Sequence, residues 1–228
     1  MIKKTATVIL SSLLALPAFA AEDPFSGFSV GLAMNNRNFD SSIDSFTLDG
    51  VVVPTSAVSF GKIDQSKSIS EVNLNVSFPV QDSFYLGLSY EIGLGKKGIT
   101  PPSFTDNLTP ETGTLADSMT VKNHRTFIVA PGYKISDTTL VSLRLGTVKY
   151  RIEAAAAGEP TDVFRNSNQV LGVGVDQALT ENLILGITYD TYRAKTSSVS
   201  GVNSDGNAYV FTMRSKGSAF RVGLKYKF

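Results

Sequence analysis

Along much of the chain, hydrophobic and polar side chains alternate one for one. The final stretch, Ser218–Phe228, puts Phe220, Val222, Leu224, Tyr226 and Phe228 on one parity and Ala219, Arg221, Gly223, Lys225 and Lys227 on the other. A period of two predicts a strand with one apolar face, because successive side chains of a strand point to opposite sides. The same signal starts at Ser26, where Phe28, Val30, Leu32 and Met34 oppose Gly27, Ser29, Gly31, Ala33 and Asn35. It recurs around Val72–Phe78, Phe84–Leu94, Phe127–Ile135, Val141–Leu145, Leu171–Leu179 and Leu183–Tyr189, giving eight strands in all. Pro131 interrupts the fourth and predicts a bulge, since proline cannot donate to a ladder. Tight turns are expected at Pro79–Ser83, Ser136–Thr138 and Thr180–Asn182. Longer polar connections are expected over Asp40–Lys67, Lys96–Val121, Ala154–Arg165 and Ala194–Met213. The regular exchange of long and short connections, with an even strand number, predicts an all-β fold: one eight-stranded antiparallel transmembrane β-barrel.

The N-terminus reads differently. Lys3 and Lys4 precede a short apolar run, Val8–Leu16, and Pro17 is followed by Ala18-Phe19-Ala20. That sequence of features predicts a secretory signal peptide over residues 1–20, with Ala18 and Ala20 at the cleavage site, and a single barrel domain over 21–228. Losing Lys3 and Lys4 leaves 19 basic residues against 20 acidic ones, so no basic excess points to nucleic acid. The chain has no cysteine, which excludes a disulfide framework, thiolate metal sites, a cysteine nucleophile and a lipoprotein anchor.

A closing strand whose apolar parity ends on Phe228, two residues after Tyr226, resembles the assembly signal of bacterial outer-membrane barrels. With the signal-like N-terminus, the eight alternating segments and the asymmetry of connections, the chain resembles the OmpA/OmpX/opacity class of small barrels. The resemblance implies residence in a bacterial outer membrane and contact with its lipid and lipopolysaccharide. It also implies recognition of the last strand, Phe220, Val222, Leu224, Tyr226 and Phe228, by the barrel assembly machinery. Tight turns after strands two, four and six put both termini on the periplasmic side and the four longer loops outside.

The apolar parity is expected to face lipid and the small and polar parity the lumen. A soluble β-sandwich is the competing fold, but glycine, alanine and serine at mid-strand suit a narrow interior better than a solvated face. Counted from the periplasmic strand ends, Glu71, Glu91, Arg144, Asp190 and Arg221 fall at similar heights and should meet in one layer, with Lys134, Asp176, Lys225 and Lys227 below. Such a layer is either a gate or a structural network; eight strands enclose a lumen that side chains nearly fill, which favours the network. His124 is the only histidine. It reads as an inward polar residue at the extracellular rim, with Thr126 rather than a serine beside it, which speaks against a lipid A-modifying hydrolase. No residue pattern marks a metal, a cofactor or a catalytic group. The leading functional reading is a non-enzymatic surface barrel whose loops meet an extracellular ligand or host surface. Val51–Pro54, Val58–Phe60 and Tyr209–Phe211 are their most apolar parts. The alternative is a narrow, low-conductance channel for ions or small hydrophobic molecules.

Overall fold

The computed structural model describes residues 23–54, 56–109, 111–114, 116–155, 161–202 and 206–228. The proposed signal peptide with its cleavage site, Ala18 and Ala20, lies outside them. Eight long antiparallel strands make up the main sheet: β1 Gly27–Leu48, β2 Ile63–Gln81, β3 Phe84–Gly93, β4 Ser118–Ser136, β5 Thr139–Ala155, β6 Asp162–Ala178, β7 Leu183–Val202 and β8 Ala208–Lys227. Each pairs with the next, and β8 returns to β1, with Ser29 opposite Lys227 and Leu48 opposite Tyr209, so the sheet closes on itself. Closure leaves no unpaired edge, the condition for strands to cross a bilayer. At the seam the Phe228 amide donates to the Phe28 carbonyl at 3.0 Å and their rings stack, centroids 5.9 Å apart.

Near the tight turns the sidedness is as the alternation requires. Leu32, Met34, Leu143, Leu171, Val173, Tyr189 and Phe220 are exposed on the outside, whereas Ala33, Asn35, Ser89, Thr188 and Ala219 are buried within. An uninterrupted belt of exposed aliphatic and aromatic side chains is far beyond what water tolerates on a monomer, and lipid is its natural solvent. Phe78, Phe84, Tyr133, Tyr226 and Phe228 crowd its lower edge, all exposed.

Two expectations about the strands need correction. Pro131 makes no bulge: it sits opposite Leu86, and the β4–β5 register is the same on either side of it, Ser142 facing Gly132 and Leu145 facing Val129. The ladder lapses there, where proline has no N–H to give, without taking in an extra residue. The second correction concerns length. The stretches read as long loops are largely strand, since β1 runs on to Leu48, β2 begins at Ile63, and β7 and β8 continue to Val202 and from Ala208. The β3–β4 connection adds short strands at Lys97–Ile99, Ser103–Asp106 and Glu111–Thr114. A membrane-crossing strand needs only about 9–11 residues, so the barrel projects well beyond the bilayer.

In the projecting half the chemistry of the two faces inverts. Phe39, Ile63, Ile69, Met119, Val121, Val148, Ile152 and Phe164 point inward and form one buried apolar cluster. Polar residues such as Asn36, Ser68, Lys149 and Arg165 face outward. Once water replaces lipid outside the wall, apolar side chains are stable only within it.

Candidate functional site: the charge layer of the lumen

The structure brings Glu71, Glu91, Arg144, Asp190 and Arg221 together in one layer, each between 0 and 7% exposed. They arrive from five strands, β2, β3, β5, β7 and β8, because each occupies an inward position at a similar rise from the tight-turn end of its strand. Arg144 forks onto Asp190, with Nε donating to Oδ1 at 2.8 Å and Nη2 to Oδ2 at 3.2 Å, and its Nη2 also donates to Glu91 Oε1 at 2.7 Å. Arg221 donates through Nε to Glu71 Oε2 and through Nη1 to Glu91 Oε1, both at 2.7 Å, while its Nη2 lies 2.6 Å from Glu91 Oε2. Glu91 therefore joins the two arginines. The planar guanidinium fork suits such two-point contacts, which also fix geometry.

The sixth strand contributes the absence of a side chain. A Cβ placed on Gly172 would come within 2.1 Å of Asp190 Oδ1, so only glycine leaves the carboxylate room to meet Arg144.

Three residues not expected in the layer extend it upward. Asn35 of β1 donates to Glu71 Oε1 at 2.8 Å. His124 is not at the rim, as the sequence suggested, but enclosed in the lumen with Nδ1 3.1 Å from Glu71 Oε1. The strand does not stop near Thr126; it continues to Ser118 through an irregularity at Asn123, whose φ is 53°, so that His124, on the inward parity of Thr126 and Ile128, is covered by the wall above it. Arg37, 1% exposed, donates through Nη2 to the Tyr192 hydroxyl at 2.6 Å and lies over the Tyr192 ring, 4.4 Å from its centroid. A guanidinium over an aromatic face is held by the ring quadrupole. With Arg37 the layer has three guanidiniums, Arg37, Arg144 and Arg221, to three carboxylates, Glu71, Glu91 and Asp190. The inward alternation of Asn35, Arg37 and Phe39 was the signal that could have placed it.

The charges expected below the layer only partly assemble. Lys225 donates to both oxygens of Asp176 at 2.7 Å. Lys227 instead reaches the Asp23 carbonyl, 2.7 Å away, and Lys134 turns to Asp137 at the rim. Beneath them Phe25, Tyr85, Leu140 and Ile184 close the mouth at the tight-turn end as a second apolar cluster. Between this plug and the charge layer remains a cavity of about 70 Å³, and within the layer one of about 20 Å³. The lumen is thus filled in sequence by an apolar plug, an ionic layer and an apolar core.

A family model described as the outer membrane protein beta-barrel domain matches residues 6–228. The chain belongs to that family. Its place is accordingly the bacterial outer membrane, in contact with lipid through the apolar belt, and its class is that of the small eight-stranded barrels. Among solved structures it is similar to the outer membrane protein OprG of Pseudomonas aeruginosa, at 14% identity and a TM-score of 0.65, over 91% of this chain and 98% of that one. It is similar also to the outer membrane protein AlkL, solved in lipid bilayers, at 12% identity and a TM-score of 0.51, over 93% and 94% of the two chains. At these identities the likeness is one of fold. No curated protein matches the chain.

Proposed function

We propose that this family member is a non-enzymatic surface barrel, which presents its projecting hairpins outside the cell while its lumen stays closed. The observation that carries the reading is the interlocked layer of Glu71, Glu91, Arg144, Asp190 and Arg221, which ties β2, β3, β5, β7 and β8 across the barrel and is packed between two apolar clusters. A diffusion path would have to pass all three. The layer then serves as a structural network that fixes register, since a slipped strand would strand a buried charge. His124 has no route to lipid from its enclosed position against Glu71, which supports the non-enzymatic reading.

In this reading both termini are periplasmic and β8 is the strand that the assembly machinery takes up. The hairpins above the membrane carry any ligand or host contact. Phe46 stacks on Phe211 with centroids 4.5 Å apart, and Phe60 packs edge-on against both, so the apolar stretches of the first and last hairpins stiffen each other. Val51 and Val52, paired with β1, stay exposed beyond this cluster as contact surface.

Planar-bilayer recordings of the refolded protein beside its Arg144→Ala variant test the closed lumen. Silence is expected from the wild type; steady single-channel currents that change in Arg144→Ala would overturn the proposal and make the layer a gate. Orientation is tested separately. The chain has no cysteine, so Leu108→Cys, at a position 78% exposed on the β3–β4 hairpin, gives a unique thiol. An impermeant maleimide should label it on intact cells, and protection there would reverse the topology.

A further inference from the structure

The floor of the lumen is not made by the wall. Residues Asp23–Ser26 precede β1, turn in under the barrel and take part in no ladder. Gly27 makes the turn with a φ of 105°, a conformation open to glycine and strained for other residues. From there Phe25 enters the mouth at the tight-turn end. It is 4% exposed, edge-on to Tyr85 with ring centroids 6.4 Å apart, and clustered with Leu140 and Ile184. Those three partners come from β3, β5 and β7, strands that are not neighbours, so one side chain spans a gap that the wall leaves open.

The wall holds this segment by side chains. The Tyr85 hydroxyl donates to Asp23 Oδ2, and Lys227 Nζ donates to the Asp23 carbonyl at 2.7 Å. Asp23 also ties the segment to itself, its Oδ1 accepting from the Phe25 amide at 3.2 Å. Among the described residues the segment makes no backbone-to-backbone hydrogen bond to the barrel. Unseating it breaks the Tyr85 and Lys227 bonds and exposes a phenylalanine, while every rung of the sheet stays in place. An opening that gives up so few contacts lies far below global unfolding in free energy. Directly above is the cavity of about 70 Å³, lined by Ser29, Asn75, Ser89 and Thr188 with Arg144 over them. It is polar and has room for a few waters.

We propose that Asp23–Ser26 is a hinged plug, which swings on Gly27 and, on leaving, opens the chamber below the ionic layer to the water at the tight-turn end. Lys227 couples the movement to the chamber. Its ammonium, on a residue 4% exposed, is held by the Asp23 carbonyl. As the plug leaves, water must take the place of that carbonyl, because an unpartnered buried charge is too costly, so opening and wetting go together. The inference deepens the closed-lumen reading and rests on it: the ionic layer and the apolar core are built from the strands, whereas the plug moves without unpairing one.

The test uses the absence of cysteine from the chain. Ser89→Cys puts one thiol in the chamber, at a residue 7% exposed whose Oγ has no hydrogen-bond partner among the described residues. Val148→Cys puts one in the apolar core above the ionic layer. Each protein is refolded in micelles, and its reaction with methyl methanethiosulfonate, a small neutral reagent, is followed by mass spectrometry. Folded Ser89→Cys should react slowly but to completion. Adding Phe25→Ala should speed the reaction on the order of 10- to 100-fold, as expected when a buried aromatic anchor is lost from the closed state. Adding Gly27→Ala should speed it about tenfold, because alanine resists the φ of the hinge. Neither change should move the rate at Val148→Cys; equal acceleration there would mean that Phe25 supports the barrel as a whole, and the proposal would fall. It falls too if Phe25→Ala leaves the Ser89→Cys rate unchanged or if folded Ser89→Cys never reacts. A Phe25→Ala chain that does not refold, by heat-modifiable migration, also overturns it, since a plug that leaves is not needed to close the barrel. Rapid labelling at both positions with Phe25 in place would bring down the closed lumen itself, and the plug with it.

Discussion

Glu91→Ala should lower the unfolding free energy in lipid vesicles by about 3–5 kcal/mol, the cost of removing one member of a buried ion network. Glu91 accepts from Arg144 and from Arg221 and is the one carboxylate that both arginines share at hydrogen-bonding distance. Without it, Arg144 retains Asp190 and Arg221 retains Glu71, but a positive charge is left over in a lumen where water has little room. Glu91→Gln, which keeps the volume and one acceptor, should cost less than Glu91→Ala. The double variant Glu91→Ala/Arg221→Met should recover part of the loss, because it removes the excess positive charge as well. Reversible urea unfolding of the four proteins measures all of these. A loss below about 1 kcal/mol for Glu91→Ala would mean that the layer is hydrated, and with it the closed lumen would fail.

That layer was legible because a barrel turns sequence position into height. Once the tight turns after β2, β4 and β6 are found, counting up each strand places Glu71, Glu91, Arg144, Asp190 and Arg221 side by side. The upper half of the barrel was not legible, and β5 shows why. Its outward residues Val141, Leu143 and Leu145 are apolar, but beyond Thr147 the apolar positions become Val148, Tyr150 and Ile152, on the opposite parity. Read as a string, this looks like a strand that ends or slips by one residue. The β5–β6 ladder nevertheless runs without a shift from Thr139 to Ala154. What changes is the solvent outside the wall, from lipid to water, and with it the face on which apolar side chains are stable. A pattern defined by one face alone loses the strand at that boundary. For the same reason Arg37 and His124, just above the expected strand ends, were left out of the layer to which they belong.

Replacing Val173 by arginine should destabilise the barrel by about 2–4 kcal/mol, whereas Leu185→Arg should cost about 0–1 kcal/mol, although both residues face outward. Val173 lies on β6 between Leu171 and Val175, 58% exposed, and is flanked across the ladder by Leu143 and Tyr189. Every neighbour on that face is apolar or aromatic, and the first polar position toward the projecting end of the barrel is Gln169. Arginine there has hydrocarbon on both sides, and its stem is too short to bring the guanidinium fully to either interface. Leu185 is the third residue of β7 and lies opposite Leu224, beside the tight-turn rim where Tyr226 and Phe228 mark the interface. An arginine at that position can extend into the headgroups while its methylenes stay in the apolar layer. Urea unfolding in vesicles, with Val173→Leu as a control for packing, separates the two outcomes. Equal costs at the two sites would mean that depth does not vary along the wall as the belt implies. The boundary between lipid-facing and water-facing chemistry on β4 to β6 would then have to move.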